Sequence, residues 1–269
     1  MSTITSYPAG VPCWVDTFQP DPEAAALFYG SLLGWTFDDP VAMAEGLTGE
    51  YRTARHDGRL VAGIAQAPAG FPSAVWTTYV AVEDVDETAR RAAAAGGGRL
   101  VGPTTHGEDG RVALLTDPVG VAFGIWQARA RRGAEQVNEP GAWTMSSLHT
   151  PARDTSEAFY GQLFGWTLEP VPGAPMAFWR LDGHVAGEAG QPMPRDVVAV
   201  LVRIGDGDPT LPHWTVALTV DDVDTTARHA CKLGGAVLLA PTDTPGFRSA
   251  VIADPQDGVV AVTAPATMV

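Results

Sequence analysis

A nine-residue stretch, Phe28-Tyr29-Gly30-Ser31-Leu32-Leu33-Gly34-Trp35-Thr36, returns 131 residues later as Phe159-Tyr160-Gly161-Gln162-Leu163-Phe164-Gly165-Trp166-Thr167. A second stretch, Val82-Glu83-Asp84-Val85-Asp86-Glu87-Thr88-Ala89-Arg90, returns after 138 residues as Val220-Asp221-Asp222-Val223-Asp224-Thr225-Thr226-Ala227-Arg228. Two long matches in the same order mark a tandem duplication with a small insertion in the second copy. The 269 residues thus divide into two units of about 130, a normal domain size. We place the first domain at 1–129, a linker at 130–141 and the second domain at 142–269. The linker is polar and carries Gly133, Pro140 and Gly141, so it reads as exposed.

Each copy repeats one pattern of strand, helix and short strands. Cys13 to Phe18 reads as a strand, after which Asp21 caps a helix with Pro22 at its first position and Glu23 facing the helix dipole. That helix ends at Gly34, and Asp57-Gly58 then joins two strands as a hairpin. Trp76 to Val82 is the next strand, followed by a helix starting at Asp84 or Asp86, in which Asp86 pairs with Arg90 and Glu87 with Arg91. Asp117-Pro118-Val119-Gly120 and Asp254-Pro255-Gln256-Asp257-Gly258 are turns between the last strands of each copy. The Val-rich run Val197 to Ile204 has no repeat partner and reads as an added or lengthened strand.

Composition narrows the function. With 17 basic against 31 acidic residues the net charge is -14, which opposes phosphate-backbone binding. No apolar run approaches the roughly 20 residues of a membrane span, and the start of the chain lacks a secretory pattern. The expectation is a cytoplasmic protein with neither nucleic acid nor membrane as partner. Cys13 and Cys231 lie far apart without metal-ligand spacing and read as small buried residues. Nucleophile-elbow, P-loop and dinucleotide-binding glycine motifs are lacking, and the single lysine, Lys232, sits on a solvent-facing helix pattern.

The helix ending in Phe-Tyr-x3-Leu-Gly-Trp, the Val-Asp/Glu-Asp-Val-Asp helix start and the Asp-Pro-x-Gly turn, in this order and twice over, resemble the vicinal oxygen chelate superfamily of glyoxalases, extradiol dioxygenases and bleomycin resistance proteins. The resemblance implies an α+β fold of tandem βαβββ modules, four in all, forming two curved mixed-sheet domains. Metal-using members hold a divalent ion at three strand positions. Those positions carry Trp14, Thr77 and Gly124 in the first copy and Met145, Thr215 and Val262 or Ala261 in the second. None is a usual ligand for such an ion, so no metal and no cofactor is expected. His149 and His213 lie near two of the positions and would allow a shifted site, although no carboxylate partner is evident.

If the implied ligand positions face a cavity, the alternation of side chains along a strand turns Trp14, Asp16, Phe18, Thr77, Tyr79 and Trp126 inward in the first copy. In the second copy the same rule gives Met145, Ser147, His149, His213 and Thr215. The first set would wall an aromatic pocket with one carboxylate, and Gly124 would leave it room. Asp16 at an inward position needs either an arginine partner or a function, and both readings stand. Trp35, Trp166, Trp76 and Trp214 read as core. The expected function is metal-independent binding of an aromatic or polycyclic molecule, such as an antibiotic. The alternative is a tailoring enzyme using Asp16 or His149 for proton transfer, such as a cyclase, isomerase or hydroxylase. Glyoxalase-type lyase activity ranks third. A monomer or weak homodimer is expected, and each cavity could close within or between the halves.

Overall fold

The computed structural model describes residues 4–69, 73–185, 194–244 and 246–266. Its elements fall into four modules. The first contains β1 (Pro12–Gln19), α1 (Pro22–Leu33), β2 (Thr36–Phe37), β3 (Val41–Ala42), β4 (Glu50–His56) and β5 (Arg59–Gln66). The second has β6 (Val75–Ala81), α2 (Val85–Ala94), β7 (Gly98–His106), β8 (Gly110–Thr116) and β9 (Ala122–Ala128). The third has β10 (Trp143–Thr150), α3 (Arg153–Phe164), β11 (Trp166–Pro170), β12 (Met176–Leu181) and β13 (Val197–Arg203). The fourth has β14 (His213–Thr219), α4 (Val223–Lys232), β15 (Ala236–Thr244), β16 (Phe247–Ala253) and β17 (Val259–Pro265).

Local chemistry sets the element ends. Asp21 is the N-cap of α1 and its Oδ1 accepts from the Ala24 amide at 3.0 Å. Asp84 and Asp222 cap α2 and α4 in the same way. Gly34 and Gly165 close α1 and α3 in the left-handed region, at φ 73° and 76°, where a side chain would be strained. In each Asp-Pro turn one carboxylate oxygen accepts two backbone amides, those of Val119 and Val121 for Asp117 and those of Gln256 and Gly258 for Asp254. The paired residues of α2 differ from the expected i to i+4 partners. Arg90 bonds Glu87, Arg111 of β8 takes Asp86, and Arg91 reaches the Gln162 carbonyl.

Each half forms one mixed sheet. The first runs β2-β4-β5-β1-β6-β9-β8-β7, with β3 on β4, and the second β11-β12-β13-β10-β14-β17-β16-β15. β13 pairs parallel with β10 as β5 pairs with β1, so Val197 to Ile204 does have a repeat partner. The insertion lies in the connection before it. β1 and β6 lie antiparallel at the sheet centre, as β10 and β14 do.

The two largest apolar cores lie between the halves. One joins Phe28, Tyr29 and Trp76 of the first half to Val216, Val223 and Ile252 of the second. The other joins Val85, Leu115 and Phe123 to Phe159, Tyr160 and Trp214. Tyr29 donates to Asp254 Oδ2 at 2.7 Å and accepts from Trp76 Nε1 at 3.2 Å. Tyr160 donates to Asp117 Oδ2 at 3.3 Å and accepts from Trp214 Nε1 at 3.2 Å, so the pattern repeats about a pseudo-twofold axis. Trp35 and Trp166 are also core, donating to the Gly141 and Gly10 carbonyls across the two halves.

Two sequence expectations fail here. The segment 130–141 is not an exposed linker, because Arg131, Ala134 and Gln136 are buried and Ala134 N bonds the Cys13 carbonyl. Packing outweighs its polar composition. Cys13 is buried, but Cys231 on α4 is exposed, because the buried residues of that helix are Val223, Ala227 and Ala230.

Candidate functional site

The concave faces of the two sheets hold different side chains on one backbone plan. Register makes the comparison direct. Trp14 sits opposite Tyr79 on the first sheet, and Met145 sits opposite Ala217 on the second. Trp126 pairs with Val112, and its counterpart Thr263 pairs with Ser249. Asp16 and Phe18 correspond to Ser147 and His149.

In the first half this face is filled. Only about 30 Å³ remains among Trp14, Asp16, Tyr51, Tyr79, Trp126 and Arg131, with Met43 and Leu47 above. Arg131 comes from the segment expected to be a linker. Its guanidinium lies 4.8 Å from the Trp14 ring centre, 4.7 Å from Trp126 and 5.5 Å from Tyr51, an aromatic cage around a cation. Arg131 Nε is 3.3 Å from Asp109. The space foreseen at Gly124 is taken by Tyr79, whose ring would meet a Cβ there at 2.1 Å. Trp14 Nε1 donates to the Tyr51 hydroxyl at 2.8 Å, and Trp126 Nε1 to the Arg131 carbonyl at 3.0 Å. Phe18 borders the residual space, while Thr77, opposite Asp16, is buried without reaching it.

Asp16 is 2% exposed. Burial pushes its carboxyl up to about 7, while the Tyr79 hydroxyl, the Arg131 charge and the Tyr51 hydroxyl pull the other way. Burial also lowers His106, and the Arg131 charge adds to that. Residue periodicity could place Trp14, Asp16 and Trp126 on this face, but no local signal marks Arg131, Tyr51 or His106 as their companions.

In the second half the face is open. A cavity of about 740 Å³ lies against Met145, Val198, Phe247 and Thr263, a size suited to a drug-sized molecule. Its far wall comes from the other half. The segment from Ile4 to Pro12 crosses it, tied by Tyr7 Oη to the Ala134 carbonyl at 2.8 Å and by Gly10 N to the Ala81 carbonyl at 2.9 Å. His184 and Arg195 line the rim. Sequence reasoning missed this wall, because a coil segment carries no periodicity that assigns it a partner.

Of the candidates in this half only Met145 borders the cavity. Ser147, His149, His213 and Thr215 are half-buried on the same strands, beyond its edge. His149 and His213 stack with ring centres 4.7 Å apart and planes 8° apart. Burial, and then the His213 charge, lowers His149 to about 4, so it is neutral near pH 7. His213 Nδ1 donates to the Leu211 carbonyl at 2.7 Å.

The three strand positions that would hold the superfamily's metal carry an indole, a hydroxyl and a glycine in one half, and a thioether, a hydroxyl and an aliphatic residue in the other. Among the described residues no three His, Cys, Asp or Glu side chains cluster to hold an ion. The donor set does not fit a divalent metal at those positions.

Two curved βαβββ sheets with concave faces define a glyoxalase-type protein, and comparison with known proteins agrees. Residues 14–125 match the Glyoxalase/Bleomycin resistance protein/Dioxygenase superfamily, and residues 145–263 match a Glyoxalase-like domain. The "Putative glyoxylase CFP32" of Mycobacterium tuberculosis (strain CDC 1551 / Oshkosh) is 37% identical over 99% of both chains. The anthracycline biosynthesis protein DauV of Streptomyces sp. (strain C5) is 32% identical, covering 94% of this chain and 92% of its own. The chain belongs to the glyoxalase/bleomycin resistance/dioxygenase superfamily. Among solved structures, the Mn(II)-bound glyoxalase from Novosphingobium aromaticivorans superposes with a TM-score of 0.61 at 19% identity, over 95% of this chain and 82% of its own. The 2,3-dioxygenase LapB from Pseudomonas sp. KL28 has the same TM-score at 13% identity, over 99% and 94%. Both share the fold. Among the described residues no helix is long and apolar enough to cross a membrane.

Proposed function

We propose that the chain binds a small aromatic or polycyclic metabolite, without a metal, against the concave face of its second half. The observation that carries this reading is the contrast between two equivalent faces. One leaves about 30 Å³ and the other about 740 Å³. The open cavity is walled by Met145, Val198, Phe247 and Pro265, with Thr219 and Thr263 as hydroxyl groups, a surface that favours a flat apolar body with few polar groups. The relatives DauV and DnrV are named for anthracycline biosynthesis, which supports a polycyclic aromatic ligand.

Trp143 borders the cavity and serves as an internal reporter. Titrating the protein with an anthracycline aglycone should quench its tryptophan emission in a saturable manner, unchanged by a chelator. Emission that responds only after a divalent metal is added would overturn the reading.

The alternative, a metal-independent tailoring enzyme, rests on His149, which is held neutral on the same face and able to accept a proton. Under that alternative His149→Ala abolishes turnover of a bound aglycone while its binding persists.

A further inference from the structure

We propose that the ligand of the second-half cavity carries a ring carbonyl, as a quinone does, and that the side-chain amide of Asn138 donates a hydrogen bond to it. The inference rests on the second-half cavity being the ligand site and adds the chemical class that this site selects.

Hydrogen-bonding side chains gather at the turn where the chain enters β10. Asn138 N bonds the Trp143 carbonyl at 2.9 Å and Gly141 N bonds the Thr219 carbonyl at 2.9 Å, so Asn138, Thr144 and Thr219 meet at one end of the cavity. The first copy has the same turn. There Gly10 N bonds the Ala81 carbonyl at 2.9 Å, and Cys13 stands at the bulge in β1 as Thr144 does in β10. At the repeat offsets of 131 and 138 residues, Asn138, Thr144 and Thr219 correspond to Tyr7, Cys13 and Ala81. The second copy thus has an amide and two hydroxyls where the first has a thiol, a methyl and a phenol turned to the Ala134 carbonyl.

The donors and acceptors at this end set what a ligand must supply. The Thr144 hydroxyl donates to Asn138 Oδ1 at 2.8 Å, which uses its one proton and turns the amide so that Nδ2, with two N–H groups, has no acceptor among the described residues. Asn138 is half-buried, with Val137, Trp143 and Met145 beside it on the cavity wall. A ligand covering this end with C–H groups alone would strip water from those donors and return nothing, whereas an acceptor satisfies one of them. An uncharged amide does not offset the desolvation of an anion, so a neutral carbonyl suits it better than a carboxylate. Carbonyl lone pairs lie in the plane of the C=O group and its substituents. In a flat ring system the acceptor is therefore at the ring edge, where Asn138 can meet it while the ring faces rest on apolar walls such as Val198 and Phe247.

The backbone limits the useful variants. Asn138 has φ 61°, in the left-handed region that asparagine, aspartate and glycine tolerate.

Equilibrium dialysis of the full chain with two probes of one shape, anthraquinone-2-sulfonate and anthracene-2-sulfonate, tests the proposal. The native chain should bind the quinone about fivefold to tenfold more tightly, the effect of one hydrogen bond to an otherwise unpaired donor. Asn138→Asp keeps an acceptor for Thr144 and the backbone conformation but has no donor. Its charge bears on both probes alike, so the preference for the quinone should vanish or reverse. Asn138→Gly adds no charge, should bind the two probes equally, and decides the matter if Asn138→Asp does not fold. Equal binding of both probes by the native chain, or a preference that survives in folded Asn138→Asp or Asn138→Gly, would overturn the proposal while leaving the cavity a ligand site. If neither probe binds the native chain, the reading of the cavity falls and this proposal with it.

Discussion

Asp16 and His149 carry opposite pH dependences. The Asp16 carboxyl titrates at about 7 in the folded chain against an ordinary 3.8. A raised carboxyl contributes stability that is full below pH 3.8 and is lost as pH rises through about 7. Asp16→Asn removes that dependence. Relative to the native chain it should gain about 1–3 kcal/mol at pH 8 and show no such gain at pH 4, measured by urea unfolding at both. His149 behaves in the opposite sense, its folded value lying at about 4 against 6.5. Its contribution is present above pH 6.5 and lost as pH falls through about 4. His149→Gln should therefore flatten the acid limb of a melting-temperature profile between pH 6 and 4, leaving pH 8 unchanged. Asp16 was legible as an inward-facing carboxylate, because strand alternation fixes the face, whereas His149, read by the same rule, lies beyond the edge of the cavity. Arg131 was not, since a polar coil gives no sign that one guanidinium will enter a cage more than 100 positions from Trp14 in sequence.

At the scale of elements, caps and turns repeat the sequence duplication except at the start of α3, where Ala152 stands in place of a capping side chain. Asp21, Asp84 and Asp222 cap their helices as their positions dictate, and the Asp117 and Asp254 turns form as read. What local sequence could not show is that each turn carboxylate also meets a tyrosine of the opposite half. Tyr29→Phe deprives Trp76 Nε1 of its acceptor and Asp254 of a short donor, and should cost about 1–3 kcal/mol in chemical unfolding. Tyr160→Phe should cost less, because its bond to Asp117 is 3.3 Å against 2.7 Å. The strand β13 teaches a similar lesson. Its Val-rich run was legible as a strand, but only pairing with β10 reveals it as the counterpart of β5.

For the whole molecule, duplication produced one body from two copies. The two largest apolar cores draw residues from both halves, so a chain ending at residue 129 would expose half of each. Expressed alone, that half should lack cooperative unfolding and bind a hydrophobic dye, whereas mixing it with residues 130–269 should restore a sharp transition. The halves then diverged on their concave faces, where rings and a guanidinium fill one, while Met145, Ala217 and Thr263 stand in the other at the positions of Trp14, Tyr79 and Trp126. The central claim is that the open face holds the ligand. Met145→Trp tests it most directly, since it restores the indole that Trp14 places on the filled face and intrudes on the cavity. In a calorimetric titration with an anthracycline aglycone, the native chain should bind and Met145→Trp should lose at least about tenfold in affinity at unchanged melting temperature. Equal affinity in the two proteins would contradict the account.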